Sequence, residues 1–294
     1  MVVNKLYFKA GEIASKALKE GIKLVKPGTS LLSICETIEN RILNLGGRCA
    51  FPANISVNQI AAHYTSPPED TAKIPEKGVV KVDCGAHVDG YLSDTAKSVA
   101  LNPEYEPLVE TAEKALNSAI KWVRSGVKIS KISAVIAQTI KKQDFKPVEN
   151  LTGHEMKRWN LHAGLSIPNI PSLSTNTKLR ENMVIAIEPF VTTKKGRGRV
   201  EAGKNAYIYK VDNKRRRDPS VKNFVEKYKT LPFASRWVVK DFGKPALNEV
   251  KKLVEKGVLI SYPVLKEIGR GIVAQAEHTL VIDKNKALVT TKRT

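Results

Sequence analysis

The sequence is poor in the features that mark several large classes of protein. Its three cysteines, Cys35, Cys49 and Cys84, are too few for a disulfide scaffold and lack the spacing of a thiolate metal site. They fit a reducing compartment, and a cytoplasmic location is expected. No apolar run approaches the roughly 18 residues that span a membrane. The first residues, MVVNKLYFKAGEIASKALKEG, carry charge at every turn and contain neither the apolar core nor the cleavage site of a secretory signal. With 18 glycines and 15 prolines in 294 residues, collagen-like and low-complexity classes are excluded. There is no short-period repeat. Acidic residues are scarce too: 29 Asp and Glu face 49 Lys and Arg, a net charge of +20.

What is present is a globular composition, 42% hydrophobic and 27% charged. The length suggests about two domains, or one large one. The excess of base is uneven. Between Thr192 and Lys240, 15 basic residues stand against 4 acidic ones, so 11 of the 20 net charges fall in this segment, with Lys214-Arg215-Arg216-Arg217 as its peak. A solvated, lysine-rich surface accounts for most of them. Attraction to a polyanion, ribosomal RNA included, is the sharper alternative, although no recognisable nucleic-acid module accompanies the charge.

Helical spacing of Leu6, Ala10, Ile13, Ala17 and Leu24 predicts a helix over 4–25. A second is expected from Ser30 to Leu45, capped by Thr29 or Ser30 and stopped by Gly46-Gly47. From Val79 the period becomes that of a strand, and Asp89-Gly90 marks a hairpin turn. Further helices are expected near 107–125, 130–142, 220–228 and 244–256, with strands over 181–191, 271–283 and 286–291. The mixed order predicts an α+β fold, an antiparallel sheet flanked by helices.

The most informative residues are carboxylates set in apolar strands: Asp83 in VVKVDCG, Glu188 in VIAIEPF and Glu277 in IVAQAEHTLVI. A buried carboxylate must meet a cation, a metal or strong donors. If Asp89 and Gly90 are the central turn residues, Val88 opposes Tyr91 and Asp83 opposes Ala96. Asp94 then shares a face with Asp83 on the diagonal, about 7–8 Å away at the backbone. Of five histidines, His154, His162 and His63 lie in suggestive contexts, whereas His87 and His278 are more ordinary. Four carboxylates and one imidazole suit two hard or borderline divalent ions rather than a structural zinc.

Asp83, Asp94, His154, Glu188 and Glu277, in that order, resemble the five-ligand set of the methionine aminopeptidases. The flanks resemble it as well, in FPANISVNQIAAHYT (51–65), KVDCG (81–85), SDTA (93–96), NLTGH (150–154), LHAG (161–164), AIEPF (186–190) and AQAEHT (274–279). The resemblance covers nearly the whole chain. It implies the pita-bread fold, a pseudo-two-fold α/β sandwich of the creatinase and aminopeptidase kind. Glu188 and Glu277 are 89 residues apart, a gap that resembles the type 2 enzymes with their inserted helical subdomain. The catalytic domain is accordingly expected over 1–194 and 266–294, and the insert over 195–265. Without a long charged N-terminal extension, the chain resembles the short archaeal-type form.

The resemblance also implies roles. Two divalent ions, from among Co, Mn, Fe and Zn, would be held by Asp83 on one side, by His154 and Glu188 on the other, and by Asp94 and Glu277 bridging both. His162 would contact the substrate carbonyl or the peptide nitrogen and stabilise developing charge, His63 would assist at the leaving amine and form one wall of the pocket, and Glu188 would shuttle a proton as well as hold metal. Phe51, Leu161, Phe190 and Tyr262 would line the pocket for the first side chain. The implied reaction is removal of the initiator methionine from nascent polypeptides with a small second residue. A monomer with no membrane partner is expected, and contact to ribosomal RNA through the basic segment 194–240 is a hypothesis that rests on the charge, beside the bland reading of a solvated surface. Two other readings compete. An Xaa-Pro peptidase of the same fold would carry a further N-terminal domain, for which the roughly 80 residues before Asp83 leave little room. A ligand-stripped binding protein would have lost some of the five residues that this chain retains.

Overall fold

The computed structural model describes residues 3–172 and 176–292. Helices α1 (Leu6–Lys23) and α2 (Leu31–Asn44) form where the apolar spacing predicts them, and the Ser30 side chain accepts from the Ser33 backbone N–H at the start of the second. Strand β1 (Arg48–Val57) and the short β2 (Ile60–Ala62) follow. Next comes the hairpin of β3 (Val79–Val88) and β4 (Tyr91–Ala100), with Val88 opposite Tyr91 and Asp83 opposite Ala96. Asp89 and Gly90 both have positive φ, 50° and 79°, as a twist-matched two-residue turn requires.

The second half repeats the plan. Helices α3 (Glu106–Ile120) and α4 (Ile129–Lys142) precede β5 (Lys146–Pro147), β6 (Thr152–Met156), β7 (Ser166–Pro168), β8 (Val184–Ile187) and β9 (Phe190–Thr192). The single strand expected over 181–191 is thus broken at Glu188-Pro189. Proline has no N–H to give the ladder, and the break turns Glu188 out of the strand rows. Then come β10 (Val200–Val211), α5 (Lys222–Tyr228), β11 (Phe233–Ala234), α6 (Ser235–Phe242), α7 (Ala246–Glu255), β12 (Leu259–Glu267), β13 (Val273–Ile282) and β14 (Ala287–Val289).

Among the described residues, ten strands join one sheet, with β1-β3-β4-β13-β8-β6-β7 as its spine, and four join another in the order β11-β10-β12-β2. The alternation of β3 explains how the large sheet serves two purposes. Val80, Val82, Cys84 and Ala86 pack with Ala14, Leu18, Ile34 and Ile38 of α1 and α2, leaving Lys81 and Asp83 on the opposite face. The other helix pair covers the far half through Ile132, Ile136, Ile185, Ile187 and Leu280. These two helix-backed halves of an antiparallel sheet are the pita-bread fold. Residues 195–265 contribute the long β10 and most of β12 as well as three helices, around a core of Val211, Phe224, Phe233, Val250 and Leu253. Among the described residues no helix is long and apolar enough to cross a membrane.

Candidate active site

Strand register assembles the site in two rows. Asn54 of β1, Asp83 of β3, Ala96 of β4 and Glu277 of β13 are successive ladder partners, so only the small Ala96 stands between two carboxylates. In the second row, His154 of β6, Ala186 of β8 and Thr279 of β13 are partners. The Thr279 hydroxyl accepts from the Asp94 backbone N–H at 2.7 Å and donates to the Asp94 carbonyl at 2.8 Å, which locks Asp94 onto this row. Glu188 joins from the break between β8 and β9.

The side chains converge. His154 Nε2 lies 3.4 Å from Asp94 Oδ2 and 3.7 Å from Glu188 Oε1. Ligand atoms of Asp94, His154 and Glu277 all fall within 4.8 Å of one another. Burial, and then the charge of Asp94, push the carboxyl of Asp83 well above its ordinary range. The same two causes, in the same order, raise Glu188 and Glu277. Asp83 Oδ1, Asp94 Oδ1 and Glu277 Oε1 are buried without a hydrogen-bond partner. Such a concentration of orphaned acceptors is unfavourable unless cations lie among them. Oxygen-rich donors with one imidazole suit hard or borderline divalent metals, so the residues fit such ions.

One member of the cluster escapes sequence reasoning. Gln275 points its amide Nε2 at Asp83 Oδ2 (3.5 Å), Glu188 Oε2 (3.3 Å) and Glu277 Oε2 (3.3 Å). The amide is a donor held among three acceptors. Its one signal is its place two residues before Glu277, which puts both on one face of β13.

Above this floor stands the small sheet. Ala234, Ile208 and Tyr262 form a row across β11, β10 and β12. A cavity of about 70 Å³ opens between the sheets. Phe51, Leu161 and Tyr262 line it with Asn54, Ile208 and Pro232, and His63, His162 and the five acidic and imidazole groups lie at its base and sides. Phe51 reaches in because Gly85 makes room: a Cβ there would stand 2.4 Å from the Phe51 ring. Phe190, expected in the same wall, does not line this cavity. It is fully buried and borders a neighbouring cavity of about 310 Å³ that shares His63, His154, His162, Glu188 and Tyr262. The displacement follows from the strand break, because Phe190 starts β9 opposite Gln275. Ile208, Pro232 and Asn54 carry no sequence signal of their own, since they lie on elements whose pairing is long-range.

Four rings meet in pairs around the cavity. His154 and His162 meet edge to face at 4.5 Å, and His63 meets Tyr262 at 5.6 Å. His63 has φ of 64°, an uncommon conformation for a side-chain-bearing residue and one that clusters at functional sites. Its Nδ1 lies 3.2 Å from the Pro263 carbonyl. A carbonyl only accepts, so Nδ1 carries the proton and Nε2 is left as an acceptor. Burial pushes the His63 pKa down to about 4. His162 touches solvent at the rim yet sits deep among protein atoms. That desolvation, followed by His154, His63 and Lys210, holds its pKa well below the ordinary value. Both rings are therefore neutral near pH 7.

Similarity to known proteins extends along the chain. A methionine aminopeptidase of Pyrococcus abyssi is 44% identical over 99% of this chain and 100% of its own length. The crystal structure of a methionine aminopeptidase from Thermotoga maritima superimposes with a TM-score of 0.73 at 21% identity, covering 99% of this chain and 100% of that one. The structure of a thermophilic Arx1 gives 0.83 at 19% identity, covering 99% and 91%. These two likenesses bear on the fold. Residues 5–284 match the family described as Metallopeptidase family M24, and with relatives this similar from end to end, the chain belongs to that family.

Proposed function

We propose that the protein is a metal-dependent methionyl aminopeptidase, removing N-terminal methionine from peptides and nascent chains. The observation that carries this is the set of four carboxylates and one imidazole on a single sheet face, in a chain 44% identical throughout to a methionine aminopeptidase. Asp83, Asp94, His154, Glu188 and Glu277 would hold the divalent ions, with Asp83 on one side of the cluster, His154 and Glu188 on the other, and Asp94 and Glu277 between them. The spacing of His154 Nε2 from both Asp94 and Glu188 supports this division, as do the orphaned oxygens of Asp83, Asp94 and Glu277. Co, Mn, Fe and Zn all tolerate this donor set. When bound, such ions supply Lewis acidity and make water a nucleophile near neutral pH.

The chain's own groups do the rest. Phe51, Leu161, Ile208, Pro232 and Tyr262 hold an unbranched thioether side chain by apolar contact, which suits methionine. Neutral His162 donates to the carbonyl oxygen of the first residue as charge develops there. His63, with only an acceptor facing the substrate, receives the amide N–H of the second residue and fixes its orientation. The proton that the leaving amine needs must therefore come from elsewhere, and Glu188, at the edge of the cluster, is the shuttle. A small second residue fits the crowding of His63, His162 and Tyr262.

Residues 195–265, lying between Glu188 and Glu277, support a type 2 assignment in the short archaeal form. We place the enzyme in the cytoplasm as a monomer. Lys214, Arg215, Arg216 and Arg217 are all exposed, which supports binding to ribosomal RNA. Replacing the four by neutral residues should flatten the salt dependence of ribosome co-sedimentation by roughly 0.7–0.9 log units for each phosphate no longer neutralised. An unchanged slope would refute that binding mode.

The decisive experiment is release of free methionine from Met-Ala-Ser by metal-stripped protein, with Co²⁺ or Mn²⁺ added back and Ala-Pro-Ala as the control. Metal-dependent release from the first peptide alone is expected. Cleavage of Ala-Pro-Ala would support the Xaa-Pro reading, and no release with any divalent metal would refute catalysis.

A further inference from the structure

The cavity wall depends on a part of strand β1 that the large sheet does not hold. Phe51 pairs with Gly85 and Asn54 with Asp83, so Pro52 and Ala53 together oppose the single Cys84. This is a β-bulge, a device that re-aims side chains and recurs beside active sites. It sends Phe51 and Asn54, on either side of it, into the cavity. It also removes Ala53 from the ladder, and Pro52 has no N–H. The backbone groups of Ala53 are fully buried and need partners from elsewhere.

They find them in a polar cluster built from three distant segments. Glu39 of α2 accepts from the Ala53 N–H at 3.0 Å, and the Ala53 carbonyl accepts from Thr65 Oγ1 at 2.7 Å and Cys35 Sγ at 3.3 Å. Arg236, the second residue of α6, closes the cluster. It forms an ion pair with Glu39 and donates to Thr65 Oγ1 at 2.5 Å and to the Ser66 carbonyl at 2.9 Å. Trp237 Nε1 donates to the other Glu39 oxygen at 2.8 Å. Glu39 and Arg236 are each only 8% exposed. Arg236 comes two residues after β11, and β11 sits between Pro232 of the cavity wall and α6.

We propose that the Glu39–Arg236 pair is a specificity-determining latch: it fixes the bulge carrying Phe51 and Asn54 against the segment that carries Pro232 and pairs through Ala234 with Ile208, and so sets the width of the pocket for the first side chain. Neither residue touches substrate or metal ligands; both are positioning residues. An apolar pair of similar volume would fill the same space, but it would not hold Ala53 N–H and Thr65 at once. The pair therefore ties two walls of the pocket together across 197 residues of sequence. The latch presupposes the aminopeptidase reading above.

The test compares kcat and KM for Met-Ala-Ser and Leu-Ala-Ser, together with metal content, in wild type, Glu39→Gln, the neutral double variant Glu39→Gln/Arg236→Met, and Thr65→Val. A roughly tenfold rise in KM for Met-Ala-Ser is expected in Glu39→Gln, with a comparable fall in the Met-over-Leu ratio of kcat/KM. Bound metal and kcat should stay within about threefold. The double variant strands no buried charge and should fold where the single one does not, still with the reduced ratio. Thr65→Val keeps both charges and should shift the ratio by about threefold, with rescue by Thr65→Ser. Folded double and Thr65→Val variants with wild-type KM and Met-over-Leu ratio would overturn the latch. Wild-type protein that released no methionine would instead overturn the reading beneath it, and the latch with it.

Discussion

The floor and the wall of the cavity are held by different means. The floor is a sheet: Asp83, Asp94, His154 and Glu277 stand on paired strands, and their spacing follows from ladder register alone. The wall is a set of long-range appointments. Phe51 depends on a bulge, His63 on a left-handed backbone, and Ile208 and Tyr262 on a small sheet whose outer strand β2 comes from residues 60–62. Register is rigid and periodic, so it suits residues that must sit a fixed few ångströms apart. Bulges and buried polar links adjust independently of it, so they suit residues whose task is to shape a pocket. Mutations in the floor should therefore abolish chemistry and metal together, and mutations in the wall should separate binding from chemistry.

The largest effect is expected at the middle of the floor. Asp94→Asn or Glu277→Gln should lower metal affinity and kcat/KM by more than the roughly 10–100-fold that loss of a ligand's hydrogen-bond partner costs, because each stands in the middle of the proposed ligand cluster with an oxygen that has no other partner. Metal titration beside peptide hydrolysis reads both. Activity within a few-fold of wild type in both variants would break the comparison at its root.

His162→Ala comes next. It should keep its metal and lose roughly 10²–10³ in kcat, the scale of a missing donor to developing oxyanion charge. If metal is lost instead, His162 belongs to the floor. Gln275→Leu sharpens the boundary from the other side. Its amide donates to three of the floor carboxylates, and losing that donor should weaken metal binding by roughly tenfold, with little change in KM for peptide once metal is saturating. A raised KM with unchanged metal affinity would place Gln275 in the wall.

The same contrast explains what the sequence displays. Asp83, Glu188 and Glu277 stand out because each interrupts an apolar strand, and the hairpin register can be read from Asp89-Gly90. Gln275 has the same placement but carries no charge, so nothing in a hydropathy pattern marks it. Strand β10 is hidden for another reason. Its twelve residues alternate poorly between buried and exposed, because irregularities interrupt its pairing with β12 near Ala202, Ala206 and Ile208, and basic residues read as loop. The bulge at Pro52-Ala53 and the Glu39–Arg236 pair require the tertiary structure, since their partners are far apart in the chain and individually ordinary. Phe190 shows the limit within a legible motif: the apolar run 181–191 reads as one strand, and the break after Ile187 moves that ring to the adjoining cavity.

The smallest effect joins the two regions at the hairpin tip. His87 of β3 accepts from the Gly90 N–H at 3.2 Å and meets the Trp159 ring at 4.9 Å. Trp159 in turn donates from its backbone N–H to the Gly90 carbonyl at 2.8 Å. The indole lies so close over Gly90 that a Cβ there would stand 2.3 Å from it. The loop bearing Leu161 and His162 thus rests on the end of the floor hairpin. Burial, then Arg48, push the His87 pKa down to about 4, below the roughly 6.5 of an unfolded chain. The unfolded state then binds more protons between these values, so stability is complete above about pH 6.5 and falls as pH drops toward 4. The contribution of His87 between pH 7 and 5 is about 2 kcal/mol, and His63, with its own pKa near 4, acts in the same direction. His87→Gln keeps an acceptor for Gly90 and cannot be protonated. Its urea midpoint should decline less steeply with acid than that of wild type. If the two decline in parallel, His63 carries the acid sensitivity, since the raised carboxyls of the floor act in the opposite direction, and the hairpin tip is not the weak joint between floor and wall.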